Sequence, residues 1–297
     1  MILITGAAGL SGSIIVQEFA RRGIPVRALV RSRTKASLLE TLPGVEVVEG
    51  DMRRPETLGR ALKGVDRALM ISSSDPQMIE TQSSFIDASK KDGVKHVVKF
   101  SGKESSIGFN PANFRFTRMH EEIERYLESS GLGWTHLRPS QFMQVYLREV
   151  PTIVTKSAIF LPMNNSKLSP VDIEDVAKVT VEVMSKGSHH GKSYEMTGPE
   201  ALTMAEIAAQ ISQVVGKQIE YVNVAPEEKR RALLAAGVPP ERADALDELF
   251  AKRRRCSESR VYLGTHKAFG VKPTTFAQFA ERNAAVFSGG DALAGRR

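Results

Sequence analysis

Ile2-Leu3-Ile4-Thr5-Gly6-Ala7-Ala8-Gly9-Leu10-Ser11-Gly12-Ser13-Ile14 is an apolar run that breaks into glycines and resumes at once as a helix start. A strand feeding such a turn is the arrangement that cradles a dinucleotide pyrophosphate. Gly6 permits a tight turn, Gly9 lets backbone approach a phosphate, and Gly12 lets the helix pack closely. At the helix start the first N–H groups have no internal partner, and the positive end of the dipole favours an anion. Leu10 and Ser11 stand there, and the Ser11 hydroxyl adds a donor. A glycine triplet alone is weak evidence, but the context matches. Ile14, Ile15 and Phe19 are spaced as an amphipathic helix, and Val26–Val30 reads as a second apolar strand.

The same rhythm continues outward from this stretch. Strands at Val45–Val48, Arg67–Ile71, His96–Phe100 and Gly133–Leu137 alternate with helices at Pro55–Leu62, Met78–Lys91 and Asn113–Ser130. That alternation implies an α/β fold, a Rossmann-type doubly wound parallel sheet with its ligand at the carboxyl ends of the strands. From Val150 onward Pro151, Pro162, Asn164-Asn165 and Pro170 mark a loop-rich passage. A helix over Ile173–Ser185, a strand at Tyr194–Thr197 and a short strand at Ile219–Val224 follow, with further helices after it. Thr203 and Glu206 have capping-box spacing before a helix through Val215. We expect a dinucleotide-binding domain over 1–150 joined by 170–198, a smaller, mostly helical substrate-binding domain over 151–288, and a flexible tail over 289–297.

The chain has 297 residues, 41% hydrophobic and 25% charged, an ordinary globular composition that argues against disorder. Cys256 is the only cysteine, so no internal disulfide framework exists, which fits a reducing compartment. With the first strand read from Ile2 no leader is expected, and no apolar run approaches the roughly 18 residues a membrane span needs. A cytoplasmic protein without a membrane partner is the expectation. The net charge of +7 is dispersed, and its densest runs, Lys229–Arg231 and Lys252–Arg255, neighbour acidic residues as solvated helix faces do. No nucleic-acid partner is expected. Nor is a metal: Asp172, Glu174 and Asp175 read as a helix start, and His189-His190 as a turn between Gly187 and Gly191.

Sites that prefer NAD place a carboxylate about 20 residues past the glycines, on the ribose hydroxyls. Here that strand end carries Arg31, Arg33 and Lys35, cations that can pair with a 2′-phosphate. NADP(H) is therefore favoured over NAD(H), the alternative being that these are solvated loop cations. Asp51, beside Met52 after the third strand, either accepts from the adenine amino group or is a turn residue. Met52 and Ser72 complete the cofactor contacts we expect in this half of the chain.

With Thr5-Gly6, Gly9, Gly12, Gly50-Asp51, Thr135–Met143 and Val171–Ala177 in view, the chain resembles the NmrA-like branch of the atypical short-chain dehydrogenases/reductases. The likeness covers most of the chain and is most specific over Glu121–Phe142. This branch includes quinone and triphenylmethane-dye reductases as well as nucleotide-sensing regulators that lack catalysis, so membership alone leaves the function open. The wider superfamily carries a Tyr-x-x-x-Lys pair after the fifth strand. Aligning on Glu124 puts Phe116 at the Tyr position and His120 at the Lys position, and Phe116 has no proton to give. His120 either binds ribose and relays a proton, or is an inward-facing core histidine on the stripe of Phe116, Ile123 and Leu127. Ser101 sits where the superfamily places a substrate-binding hydroxyl, though with Gly102 it also suits a turn. Lys103 is a further donor in that loop or a surface lysine.

The resemblance also implies that Pro139, Phe142 and Met143 wall the nicotinamide, with ordinary core packing as the alternative. Tyr146, Phe160 and Met163 are added as pocket residues, suggesting a planar, apolar substrate. Two functions follow. One is an NADPH-dependent reductase delivering hydride to a small electrophile that needs little enzymic proton donation, such as a quinone, a dye cation or an iminium. The other is a non-catalytic sensor of NADP(H) or NAD(H) that reports to a protein partner. The oligomeric state is not legible.

Overall fold

The computed structural model describes residues 1–102, 114–255 and 259–290. Lys103, Asn113, Cys256 and the tail from 291 onward lie outside the described residues. The first half alternates as expected: β1 (Ile2–Ile4), α1 (Leu10–Arg21), β2 (Val26–Val30), α2 (Ser37–Glu40), β3 (Val45–Glu49), α3 (Gly59–Leu62), β4 (Arg67–Met70) and α4 (Met78–Lys91). β5 (His96–Phe100), α5 (Arg115–Ser129) and β6 (Gly133–Pro139) continue it. The helix expected over 55–62 is instead a 3-10 turn at Pro55–Thr57 followed by the single turn of α3.

The segment read as loops contains α6 (Val150–Lys156) and β7 (Ala158–Leu161). Pro151 lies in the first turn of α6, where it costs no hydrogen bond and starts a helix rather than breaking one. Ser157, at φ 51°, ends that helix in a left-handed conformation. Next come α7 (Ile173–Ser185), β8 (Lys192–Met196), α8 (Met204–Val215) and β9 (Glu220–Asn223). The chain then runs through α9 (Pro226–Ala235), α10 (Pro240–Arg253), α11 (Gly264–Phe269), α12 (Phe276–Arg282) and α13 (Ala284–Phe287). Thr203 and Glu206 do form a reciprocal capping box at α8.

Seven strands form one parallel sheet in the order β3-β2-β1-β4-β5-β6-β8. The order reverses between β1 and β4, and ligands of such sheets sit in the crevice at that point. Helices cover both faces of the sheet, and its strands carry apolar residues on both. Along β1 and β5 the side chains alternate. Ile4 and Val98 join Ile15, Phe19, Val176 and Val183 under α1 and α7. Leu3 and Val97 join Phe85, Ile86, Ile123 and Leu127 under α4 and α5. A third apolar cluster, including Ile153, Ile159, Ile207, Phe276 and Phe279, gathers α6, α8 and α12 beside the parallel pair β7-β9. Among the described residues, no helix is long and apolar enough to cross a membrane.

Candidate active site

The turn from β1 into α1 lies at the reversal point, and residues Ala8 to Leu10 are exposed. Gly6 has φ +60°, and a Cβ there would come 2.9 Å from the Ile71 carbonyl oxygen. A Cβ on Gly12 would come 2.2 Å from the Gly6 carbonyl oxygen, so the first turn of α1 is seated directly on the loop. Thr5 fixes the other side, its hydroxyl donating to Ile71 O at 2.7 Å and accepting from Ile71 N at 2.8 Å. Gly9 caps α1 without a side-chain bond, and the first turn holds no acidic residue. The N–H groups of Leu10, Ser11 and Gly12 are thus left for a ligand, and an anion suits them. These residues fit a dinucleotide pyrophosphate.

The basic end of β2 is less uniform than its sequence implies. Arg31 and Lys35 are exposed. Arg33 is committed elsewhere: its guanidinium pairs with Glu40 at 2.5 Å and donates to Val47 O at 2.7 Å, and its N–H donates to Glu49. Binding at the ribose end would cost Arg33 these bonds. The Met52 side chain is buried in the cluster under α4 that also holds Leu29 and Leu58. Asp51 holds a turn, accepting from Arg53 N at 3.0 Å, while its own N–H donates to Thr57 Oγ1 at 2.9 Å. Ser72, past β4, accepts from Gln82 Nε2 at 2.7 Å and donates to Ser73 O.

At the carboxyl end of β5 the structure assembles a buried polar centre. His120 is 5% exposed, and a Cβ on Gly102 would come 2.3 Å from its Nε2, so only glycine fits opposite it. Its Nδ1 lies 3.1 Å from Nζ of Lys99, which also donates to Gln82 Oε1 at 2.7 Å. Ser101 is buried, and its hydroxyl bonds the Glu124 carboxylate rather than standing free. Glu124 is held bidentately by Arg138, at 2.6 and 3.0 Å. Burial opposes its charge, yet the bonds from Arg138 and Ser101 keep its carboxyl below the usual range. Burial pushes the Lys99 amine down to about 7, against the pull of Glu124. Burial and then the Lys99 charge hold the His120 imidazole well below its ordinary value.

Lys99 was missed because one lysine in the run His96-Val97-Val98-Lys99-Phe100 reads as an edge or surface residue. Strand alternation was the available signal: Val97 faces α4 and α5, and so must Lys99.

Phe142 is half-buried at the end of β6, its ring 6.0 Å from Phe100, and Pro139 is buried just before it. Met143 and Tyr146 are each 1% exposed in the third cluster, with Tyr146 edge-on to Phe276 at 5.3 Å. They back the wall instead of lining it, which corrects their assignment as pocket surface, and Met163 shares that cluster. Phe160 is also corrected. It turns away from Ile159 and Leu161, which enter the core, and lies under Lys156 Nζ at 5.4 Å. Phe116 is half-buried, edge-on to Phe114 at 5.8 Å, with Arg115 over its ring. Lys103 lies outside the described residues. Among those described, no group of three or more His, Cys, Asp or Glu could hold a metal.

A sequence model of the NmrA-like family matches residues 1–280. The chain is 35% identical over 288 residues to the NAD(P)H azoreductase of Xenophilus azovorans, covering 97% of this chain and 99% of that protein. Among solved structures, the NADPH-dependent quinone oxidoreductase of Escherichia coli, complexed with NADPH, matches with a TM-score of 0.81 at 28% identity, covering 94% of this chain and 98% of that one. The Citrobacter sp. triphenylmethane reductase, complexed with NADP(H), matches with a TM-score of 0.82 at 24% identity, covering 96% and 100%, a likeness of fold.

Proposed function

The chain belongs to the NmrA-like family, and from that premise we propose an NADPH-dependent reductase acting on planar electrophiles of the quinone, dye-cation or iminium class. That it is an NAD(P)H-dependent oxidoreductase follows from near full-length likeness to such enzymes. The observation carrying the reading is the uncapped start of α1 above a glycine turn too tight for any side chain at Gly12.

In this reading the N–H groups of Leu10, Ser11 and Gly12 hold the pyrophosphate, with the helix dipole behind them. Arg31 and Lys35 pair with the 2′-phosphate, which sets NADPH over NADH. Asp51 and Ser72 border the adenosine side and the reversal point respectively. Pro139 and Phe142, with Phe100 behind, form an apolar wall that excludes water. His120 presents Nε2 beside Gly102, and Ser101, tied to Glu124, anchors the floor. The bound nicotinamide supplies a hydride. Phe116 offers no proton, so acceptors that tolerate hydride without concerted protonation are favoured over simple ketones. The dinucleotide-binding unit comprises 1–150 with 170–198, and the substrate unit the rest of 151–288.

The test is NADPH consumption by the purified protein with quinones, triphenylmethane and azo dyes, iminiums and simple ketones, with NADH in parallel. Turnover on the first classes, faster with NADPH and poor on ketones, is the expected result. Tight nucleotide binding without turnover on any acceptor would overturn it in favour of a nucleotide sensor.

A further inference from the structure

Lys99 has no solvent exposure, and the two groups its Nζ bonds, Gln82 Oε1 and His120 Nδ1, are both neutral. Lysine is almost never buried this completely unless paired, because removing its charge from water is expensive. Glu124, the carboxylate whose charge acts on Lys99, is already engaged by Arg138. A methionine would fill this space at no desolvation cost, so packing does not account for the amine.

The arrangement fixes a proton. A charged amine only donates, so Nδ1 of His120 must accept and the ring proton is assigned to Nε2. Nε2 is the atom that abuts exposed Gly102 at the end of β5. Resting on the reductase reading, we propose that Lys99 is the proton store behind His120: it fixes the imidazole as Nε2–H and resupplies Nδ1 when Nε2–H protonates the reduced acceptor.

The step balances. Hydride addition to a quinone leaves an oxyanion. Its O–H bond forms as the Nε2–H bond of His120 breaks, and the Nδ1–H bond forms as an Nζ–H bond of Lys99 breaks. The imidazole stays neutral throughout and Lys99 ends neutral; the centre resets when a proton from water adds to Nε2 as the Nδ1 proton returns to Nζ, which restores both Nε2–H and the charged amine. A dye cation differs, because hydride converts it directly into a neutral product that needs no proton.

The groups facing Lys99 suit a store that empties near neutrality. Gln82 comes from α4, and His120 and Glu124 from α5. His136, its register partner on β6, is tied to Glu128, and Met70 faces it from β4. Burial brings the amine to about 7, near the working pH a general acid requires, while the imidazole is held too low to store the proton itself.

Lys99→Met and Lys99→Arg test this in the full-length protein. In the wild type, kcat/KM for a quinone should fall as pH rises through about 7. In both variants that dependence should vanish, since Met holds no proton and Arg releases none. The ratio of quinone to dye-cation turnover at pH 6.5 should drop about tenfold or more in Lys99→Met. Independently of turnover, 15N NMR of the nucleotide-free protein should show His120 as the Nε2–H tautomer, with that preference lost in Lys99→Met. An unchanged pH profile and ratio, or an unchanged tautomer, overturns the proposal. A wild type that reduces neither acceptor removes the reductase reading itself, a different failure that the NMR result tells apart.

Discussion

Lys99 also bears on stability, and the sign can be worked out. Burial lowers its folded value to about 7 from an ordinary 10.5. Between those values the unfolded chain holds the proton and the native chain does not, so stability attributable to this group rises with pH across that window. Below pH 7 both states are protonated, and the native state carries the full desolvation cost. Urea midpoints measured from pH 6 to pH 10 should therefore show a component that climbs above pH 7 in the wild type and is absent in Lys99→Met. The slope is the readout, because Lys99→Met also leaves Gln82 Oε1 and His120 Nδ1 short of a donor. The half-buried His96 acts in the acid range. His96, lowered to about 4 chiefly by burial, stays neutral in the fold while the unfolded chain protonates near 6.5, so its stability contribution is lost as pH falls from 6.5 toward 4.

The turn after β2 is where element and sequence part company. Three cations in five residues look equivalent, but the 3-10 turn at Arg33–Lys35 aims Arg33 back at Glu40 and the Val47 carbonyl, while Arg31 remains exposed. Arg31→Ala should raise the Kd for NADPH about tenfold relative to NADH, the loss of one charge-assisted bond. Arg33→Ala should leave that ratio unchanged and cost about 0–1 kcal/mol of stability, as a partly exposed pair does. Fluorescence titration with both nucleotides separates the two. The strands and longer helices were legible because hydrophobic period and capping are local: Thr203 and Glu206 announce α8 by spacing alone. β7 was not. Its four residues are stabilised by pairing with β9, about sixty positions away, which no local pattern encodes. The glycine turn was legible for the same local reason, whereas Lys99 and His120 meet only once β5 and α5 pack. Met143 and Tyr146 were misplaced because composition says that a residue is apolar but not which of two faces it takes.

Across the whole molecule, buried carboxylates join the start of α7 to the C-terminal helices, Asp172 foremost. Asp172 is fully buried; it accepts from Glu174 N at 2.9 Å and Gln144 Nε2 at 2.6 Å, and pairs with Arg282 at the end of α12. Arg282→Met should cost about 3 kcal/mol in urea unfolding, the low end for stranding a buried charge because two other donors remain. Arg282 is partly exposed and also touches Glu174, so Arg282→Lys should recover part of that loss. The sheet is interrupted in the chain: after β6 the backbone builds α6 and β7, then returns with α7 to cover α1 and with β8 to complete the edge beside β6. During synthesis this order matters. Six strands leave the ribosome with β6 as an open edge, and at about 5–20 residues per second its neighbour arrives roughly 3 to 11 s later. For that interval the nascent chain exposes unpaired strand backbone and the uncovered face of α1, a window for chaperones to occupy and for wrong partners to exploit.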